Sequence, residues 1–173
     1  MARHEAIVEP AQSTHTSGAH TSGAQAQPGV RPTTAAGRWR DVEMMAYKQD
    51  DAAPFRDVTR QLLFSDPRLA CEWRYFEVAA GGYSTLEKHD HVHGVMIHRG
   101  KGQCLVGHHV SDVAVGDLVF IPPQTWHQFR ANAGDVLGFL CLVNAERDRP
   151  QLPGDGDLAA LRADPAIADF LSS

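Results

Sequence analysis

The sequence predicts an all-β fold, either an antiparallel sandwich or a small barrel. Eight strand-length runs rich in Val, Ile, Phe and Tyr follow one another between residues 57 and 143, bounded by Gly, Pro, Asn or Asp. No segment before residue 150 offers ten residues of helical periodicity, which disfavours a parallel sheet with crossover helices. A chain of 173 residues, 43% of them hydrophobic, has enough apolar side chains for one sizeable core. One domain is therefore expected.

The first part of the chain is polar and then changes character near residue 38. Residues 1–38 are rich in Ser, Thr, Gly, Ala, Gln and Pro, with little to bury, so they are expected to form a disordered tail. His15 and His20 fall in this segment and read as part of a solvated linker. Residues 39–56 regain apolar side chains without a clean period and are expected to pack on the core as an arm.

The strands and the C-terminal extension follow in order. A barrel is predicted to end by residue 150, and the extension 151–173 is predicted to be partly helical because Leu158, Leu161 and Ile167 follow helical spacing. Pro165 should break or restart that helix. The predicted strands are 57–64, 71–79, 94–99, 102–107, 109–114, 117–122, 126–131 and 136–143.

Charge and cysteine content exclude several classes of protein. The net charge of −5 and the lack of a Lys/Arg run make nucleic acid an improbable partner. Cys71, Cys104 and Cys141 are odd in number, widely spaced and outside any C-x-x-C, which favours neither a disulfide scaffold nor a zinc ribbon. No apolar run approaches the roughly 20 residues of a membrane span, and no signal-peptide core is present. A reducing, cytoplasmic setting without membrane contact is expected.

One stretch, "LEKHDHVHGVMIHRG" at 86–100, concentrates metal-binding side chains. Its five candidates are Glu87, His89, His91, His93 and His98. On an unbroken strand, alternation would point the first four to one face but spread them over about 20 Å. Donors to one ion must lie within a few ångströms of each other, so the chain has to turn here and some candidates must drop out.

Two motifs in register resemble those of the cupin family, and they span about residues 71–143. The first places a ligand pair, a third ligand and a closing glycine at fixed intervals, and the second, which begins after a gap of fifteen residues, supplies one more histidine. The matching residues are Gly81, "GYSTL", Glu87, Lys88, His89, "DHV", His93, "GVMIHR" and Gly100, then Gly116, "DLVFI", Pro122, Pro123, Gln124, "TW", His127, "QFR" and Ala131. The resemblance implies the double-stranded β-helix, or jelly-roll barrel, of small single-domain RmlC-like cupins.

The resemblance also implies a ligand set. Glu87, His89, His93 and His127 stand at the ligand positions, with His and Glu exchanged at the first and third of them relative to the usual order. His91 is then a turn residue and the main rival to Glu87, while His98 lies on the strand face opposite His93. Glu87 has two other possible roles, as a base beside the metal or as a salt-bridge partner of Lys88 or Arg99. Gln124 and Ala131 replace a turn glycine and a final asparagine of the motif, which should affect turns more than ligation.

Function follows from that implied site. One divalent transition metal per chain, Fe, Mn, Ni, Cu or Zn, suits three imidazoles and one carboxylate. The site would carry a net charge of about +1 and favour a chelating anion, so a dioxygenase-like oxidoreductase acting on a small molecule is expected. A lyase or isomerase, and a non-catalytic cupin that binds metal or a small ligand, are the alternatives.

Two further expectations concern the last strand. Cys141 shares a face with Phe139 and is a candidate for a thiol beside the metal, although a small buried core residue is the simpler interpretation. Leu140 and Leu142 face the other way, as Met96 does relative to His93. An apolar outer face must be covered, so a homodimer is expected.

Overall fold

The computed structural model of the protein describes residues 29–47 and 54–172. Two small elements come first, the barrel strands follow, and two helices close the chain. The strands are β1 (Thr33–Ala35), β2 (Arg38–Trp39), β3 (Met44–Ala46), β4 (Arg56–Phe64), β5 (Cys71–Tyr83), β6 (His93–Val106), β7 (His109–Ala114), β8 (Leu118–Ile121), β9 (His127–Ala131) and β10 (Leu137–Asn144), and the helices are α1 (Asp155–Arg162) and α2 (Pro165–Ser172).

Strands β3 to β10 form one antiparallel sheet that closes into a barrel. Strand β10 pairs with both β5 and β6, and β9 also pairs with both of them, so these four strands make a closed ring. Strands β7 and β8 pair with opposite halves of β6, and β4 and β3 extend the sheet beyond β5. The predicted all-β jelly-roll barrel is confirmed.

Strand β6 differs from the prediction. The sequence analysis placed separate strands at 94–99 and 102–107, divided by Gly100, whereas the structure has one strand from His93 to Val106. Gly100 has a φ of +68° and pairs with Leu137, and the pairing with β10 shifts by one residue just before it, between Ile97 and Arg99. A Cβ at this position would lie 1.8 Å from the carbonyl oxygen of Val136. The glycine therefore lies inside the strand, next to a β-bulge at His98, and does not end it.

The core fills the barrel, and a second cluster lies outside it. Alternate side chains of the strands, among them Ile97, Ile121 and Leu137, are at most 1% exposed inside the barrel. The second cluster joins α1 and α2 to the outer wall through Leu105, Ile167 and other apolar residues. Helix α1 ends before Pro165, which begins α2, as predicted from the restriction that proline places on a helix.

The structure differs from the predicted tail of residues 1–38 near its C-terminal end. Strands β1 and β2 form a small hairpin, and the Gly37 carbonyl between them accepts a hydrogen bond of 2.8 Å from the buried Gln61 side chain. Arg38 also lies 3.6 Å from Glu77 of β5. A buried amide needs a partner, and the hairpin supplies it. The rest of the predicted tail, with His15 and His20, lies outside the described residues.

Deleting residues 1–28 is expected to leave the melting temperature within about 2 °C, because this composition offers few apolar side chains to bury. Deleting residues 1–39 should lower it clearly, since Gln61 then loses its buried acceptor. Differential scanning calorimetry of the two truncations checks this. A large drop in the shorter truncation would contradict the expectation.

Two further features bear on the setting of the protein. All three cysteines are free, with Cys104 and Cys141 buried in the core. Neither described helix has the length and apolar character that a membrane crossing requires.

Candidate metal centre

The histidine-rich stretch leaves the sheet where the sequence analysis required a turn. Strand β5 ends at Tyr83 and β6 begins at His93, so His89 lies on the connection between them. Backbone hydrogen bonds of 3.2 and 3.0 Å between Glu87 and His127 tie this connection to the start of β9. Residues 90–92 then reverse the chain, which brings His93 back beside His89.

Three imidazoles converge as a result. One ring nitrogen each from His89, His93 and His127 lies within 4.8 Å of the others. The ring centroid of His89 lies 4.6 Å from that of His93 and 4.8 Å from that of His127. His89 and His127 are 1% and 4% exposed. This group matches three of the four ligand positions that the motifs implied.

Hydrogen bonds at the outer nitrogens leave the inner ones available to a cation. The Nδ1 of His89 lies 2.8 Å from the His91 carbonyl, and that of His127 lies 2.9 Å from the Thr125 carbonyl. A carbonyl only accepts, so each Nδ1 carries the proton and Nε2 keeps a lone pair. The Nε2 atoms of His89 and His93 are buried without a hydrogen-bond partner among the described residues. Buried polar atoms seldom lack a hydrogen-bond partner, and a bound cation would satisfy both Nε2 atoms.

Burial also keeps two of these rings neutral. It lowers the pKa of His89 to about 4, with the neighbouring His127 and His91 adding to the shift. It lowers the pKa of His93 to about 2, with His127 and His89 contributing in the same direction. Neutral imidazole is the form that binds a metal, so the environment favours ligation near neutral pH.

Cys141 touches this group. Its sulfur lies 3.3 Å from Nδ1 of His93, and the residue is 2% exposed. Burial raises the pKa of its thiol to about 12, so the sulfur remains a thiol at neutral pH. If His93 is to bind a metal through Nε2, its Nδ1–H has to donate to this sulfur. Cys141 therefore packs in the core while contacting a candidate ligand.

Glu87 lines the same cavity but stands apart from the three imidazoles. It is 7% exposed and borders the cavity together with His93, His127 and Tyr47. The Tyr47 hydroxyl lies 3.4 Å from its Oε1, a long hydrogen bond. Among the described residues, its carboxylate is not in the group of donors that are mutually within 4.8 Å. Of its possible salt-bridge partners, Arg99 pairs with Glu77 at 2.8 Å and Lys88 lies over the Trp126 ring.

His91 is not the exposed turn residue that the sequence predicted. Its side chain is 8% exposed, its ring stacks on His89 at 3.6 Å, and its Nδ1 lies 2.6 Å from Asp148. Asp148 also accepts hydrogen bonds from the backbone N–H groups of Asp90 and His91, at 2.8 and 3.2 Å. These hydrogen bonds, and most of all the one from the Asp90 N–H, hold the pKa of the Asp148 carboxyl below its usual range. The sequence carried no signal for Asp148, since it lies 57 residues from His91.

The remaining histidines lie elsewhere. His98 is exposed on the outer side of β6, 5.8 Å from the Trp39 ring and 5.9 Å from that of Tyr75. His108 and His109 are exposed at the turn between β6 and β7.

Asp148→Ala is expected to weaken metal binding about tenfold, because the turn that presents the His91 carbonyl to His89 loses its anchor. Asp112→Ala is the matched control, since Asp112 bonds to Gln103 on an exposed strand away from the site. Competition with a chromophoric chelator measures both affinities. Equal affinity in the two variants would show that Asp148 does not position the ligands.

The substituted motif glycine keeps its backbone conformation. Gln124 has a φ of +53°, a left-handed conformation that costs a non-glycine residue about 1–2 kcal/mol. Its N–H donates to the His89 carbonyl at 2.7 Å and its side chain donates to Asp90 at 2.6 Å. These bonds offset the strain and hold the turn that carries His89, so the substitution preserves the geometry of the site.

Comparison with known proteins gives consistent matches. The family model of the cupin domain matches residues 74–143. A curated protein of Rhodospirillum rubrum, 1-methylthio-D-xylulose 5-phosphate methylsulfurylase, is 60% identical over 141 residues, which cover 82% of this chain and 90% of that protein.

Solved structures agree with these matches. The crystal structure of a cupin 2 conserved barrel domain protein from Rhodopseudomonas palustris has a TM-score of 0.78 and 72% identity, covering 82% of this chain and 98% of that one. A cupin-2 domain structure from Rhodospirillum rubrum has a TM-score of 0.75 and 57% identity, covering 84% and 97%.

Proposed function

Since the chain belongs to the cupin family, we propose that it is a metal-dependent enzyme acting on a methylthio-substituted ketose phosphate. The substrate class comes from the name of the Rhodospirillum rubrum relative. The structural observation that carries the proposal is the group of three clustered imidazoles, in which the Nε2 atoms of His89 and His93 are buried without a hydrogen-bond partner among the described residues. Such a group is costly to bury without a cation and is suited to hold one.

In the proposed site, His89, His93 and His127 bind one divalent ion, and Glu87 from the same cavity supplies a fourth donor. A divalent ion held there would act as a Lewis acid toward the ketone oxygen of the substrate. Three neutral imidazoles and one carboxylate leave a net charge of about +1, which suits the electron-rich oxygens of a ketose. The identity of the metal stays open among Fe, Mn, Ni, Cu and Zn, because each of them accepts this donor set.

Tyr47 and Glu87 are placed to handle a proton. The methylthio group of such a substrate is on the carbon next to the ketone, so chemistry at that carbon requires a proton to be removed or added. Burial, together with the charge of Glu87, raises the pKa of Tyr47 well above its ordinary value. The phenol therefore stays protonated near neutral pH and can donate, while the Glu87 carboxylate can accept.

The cavity beside the imidazoles is small, about 30 Å³. A pentose phosphate does not fit into that volume, so the side chains that cover the cavity have to move for it to enter. Tyr47 is one of them, since it packs against Phe55 and Phe76 at 5.4 and 5.7 Å between ring centroids.

The dioxygenase-like reaction expected from the ligand set finds no support in the relative, whose name describes chemistry at a methylsulfur group. The present proposal is nearer to the lyase alternative. Both reactions begin with a metal that holds a chelating substrate, so the donor set does not distinguish them.

The test is turnover of synthetic 1-methylthio-D-xylulose 5-phosphate by the metal-loaded protein, with and without a small thiol as acceptor, followed through the S-methyl signal by NMR. With the thiol we expect the bond between the carbon and the methylsulfur group to break, the methylsulfur to form a disulfide with the thiol sulfur and the thiol proton to reach the carbon, so that the S-methyl signal of the substrate is replaced by that of a methyl disulfide. The rate should drop at least about 100-fold in His127→Ala and stay unchanged in His98→Ala. Oxygen uptake without loss of the S-methyl group would replace the proposal with the oxygenase. No turnover under any of these conditions would also overturn it.

We further propose that the protein is a homodimer. Trp73, Met96, Leu118, Phe120 and Leu142 form an exposed apolar face on strands β5, β6, β8 and β10, with exposed fractions from 39% to 79%. A face of this kind is unfavourable in water unless it is covered. Light scattering at micromolar concentration should give twice the chain mass of 18.9 kDa, and Phe120→Asp should shift the protein toward the monomer. A wild-type mass near that of one chain would contradict the dimer.

A further inference from the structure

A second cavity lies on the outer wall of the barrel, against the C-terminal helices. It has a volume of about 580 Å³. Its polar lining comes from β4, β9 and α1, and its apolar lining from the segment before α1 and from the helices themselves. We refer to it as the helix-side cavity. The lining residues that matter for its chemistry are Arg56, Arg130, Arg162, Tyr83 and Gln128.

Arg130 is a buried cation whose hydrogen-bond donors are unused. It is 8% exposed, and its guanidinium carbon lies 4.7 Å from the Tyr83 ring and 5.5 Å from the Phe170 ring. Aromatic contacts satisfy the faces of a guanidinium but not the N–H groups at its edge. Within residues 29–47 and 54–172, no side-chain hydrogen bond or ion pair of Arg130 is present. The nitrogens of Arg130 are not among the buried atoms without a partner, so they open to the cavity, where an anion can accept their N–H groups.

The other two arginines add positive charge to the same cavity. Burial lowers the pKa of Arg130, and the charge of Arg56 lowers it further, so the two cations repel each other. Arg56 is half-exposed and 3.9 Å from the exposed Asp57, a contact that screens it only weakly. Arg162 is exposed in the last turn of α1. None of the residues that line the cavity is acidic.

Gln128 supplies an acceptor beside these donors. It is 4% exposed, its Nε2 donates to the Ser84 carbonyl at 2.7 Å, and its Oε1 is buried without a partner. Gln128 follows His127 on β9, so alternation sends the two side chains to opposite faces of the barrel wall. The helix-side cavity is therefore separated from the three imidazoles by the sheet itself.

We propose that the helix-side cavity binds a small molecule that carries a phosphate monoester and a neighbouring hydroxyl group. The arginines offer a divalent phosphate charge-assisted hydrogen bonds, and Arg130, held between two rings, presents its donors in a fixed orientation. The hydroxyl donates to Oε1 of Gln128. The apolar wall formed by Leu86, Leu158 and Leu171 covers the carbon skeleton. The site is independent of the metal centre and does not rest on the proposed reaction.

The experiment is isothermal titration of the full-length, metal-loaded protein with glycerol 1-phosphate, with glycerol as the uncharged control. Arg162→Gln and Arg130→Gln should each weaken binding of the phosphate about tenfold. Arg149→Gln is the matched control, an exposed arginine outside the cavity. Arg162 is exposed and makes no side-chain hydrogen bond in the part of the chain that is described, so its variant decides the matter if Arg130→Gln does not fold.

His127→Ala separates the two sites, because it removes a candidate metal ligand while leaving the outer wall intact. Binding of glycerol 1-phosphate that survives in His127→Ala and is lost in the arginine variants would support the helix-side cavity. Binding that is lost in His127→Ala and kept in the arginine variants would overturn the proposal, because the phosphate would then be at the metal centre. Absence of binding by the wild-type protein at millimolar ligand would overturn it as well.

Discussion

His127→Ala and His89→Ala are each expected to abolish stoichiometric binding of a divalent metal. Both side chains present a nitrogen to the same point, and the two imidazoles that remain do not hold an ion against exchange with a chelator. Glu87→Gln should weaken binding about tenfold, since it removes the only negative charge proposed among the donors. Elemental analysis after desalting, with the metal supplied during purification, measures the stoichiometry.

Two histidine variants serve as controls for that result. His98→Ala should keep one metal per chain, because His98 is on the outside of the barrel. His91→Ala should also keep it, since His91 helps the site through its backbone carbonyl, which the variant retains. If His91→Ala empties the site while Glu87→Gln does not, the ligands are the contiguous histidines with His127, and the argument from site charge fails.

The metal-free protein is expected to lose stability on mild acidification. His89 and His93 have their pKa lowered to about 4 and about 2, from an unfolded value of 6.5, so the unfolded chain binds more protons than the native one below pH 6.5. The free energy of unfolding should therefore fall as the pH drops from about 6.5 to 4, by about 1.4 kcal/mol per pH unit for each histidine. Below pH 4 the low pKa of Asp148 adds a loss in the same direction.

Urea unfolding at a series of pH values measures this slope. His93→Leu should reduce it by the contribution of one proton, whereas His98→Ala should leave it as in the wild type. A slope that is the same in His93→Leu and the wild type would mean that the buried imidazoles are not the groups that titrate. Bound metal should hold the wild-type curve flat until the ligands are protonated and the metal is released.

The barrel could be predicted because its signals are local. Alternation and turn residues mark each strand, and Phe139 and Cys141 do line the same cavity as His127, as their spacing indicated. The predicted strand break at Gly100 is wrong because a glycine with positive φ ends some strands and lies inside others. Here the register shift beside it and its close approach to Val136 show that it lies within β6. The end of the predicted tail differs from the structure because the Gly37 carbonyl accepts a hydrogen bond from the Gln61 side chain. The sequence does not reveal this partner.

Of the residues in the candidate site, some could be predicted from the sequence and others could not. Motif intervals indicated His89, His93 and His127, which the turn at 90–92 brings together. Asp148 and Tyr47 escaped prediction because each reaches the site from a separate part of the chain and no spacing links it to the histidines. His91 is buried where its ring contacts Asp148, so the sequence did not predict its burial either.

X-ray absorption at the zinc edge of the zinc-reconstituted protein tests the central claim most directly. Three imidazole nitrogens are expected at about 2.1 Å, recognisable by the multiple scattering of the ring, together with light oxygen scatterers at a similar distance. The signal of at least one imidazole should disappear in His127→Ala. One imidazole or none in the wild-type spectrum, or a sulfur shell at about 2.3 Å from Cys141, would contradict the proposed centre.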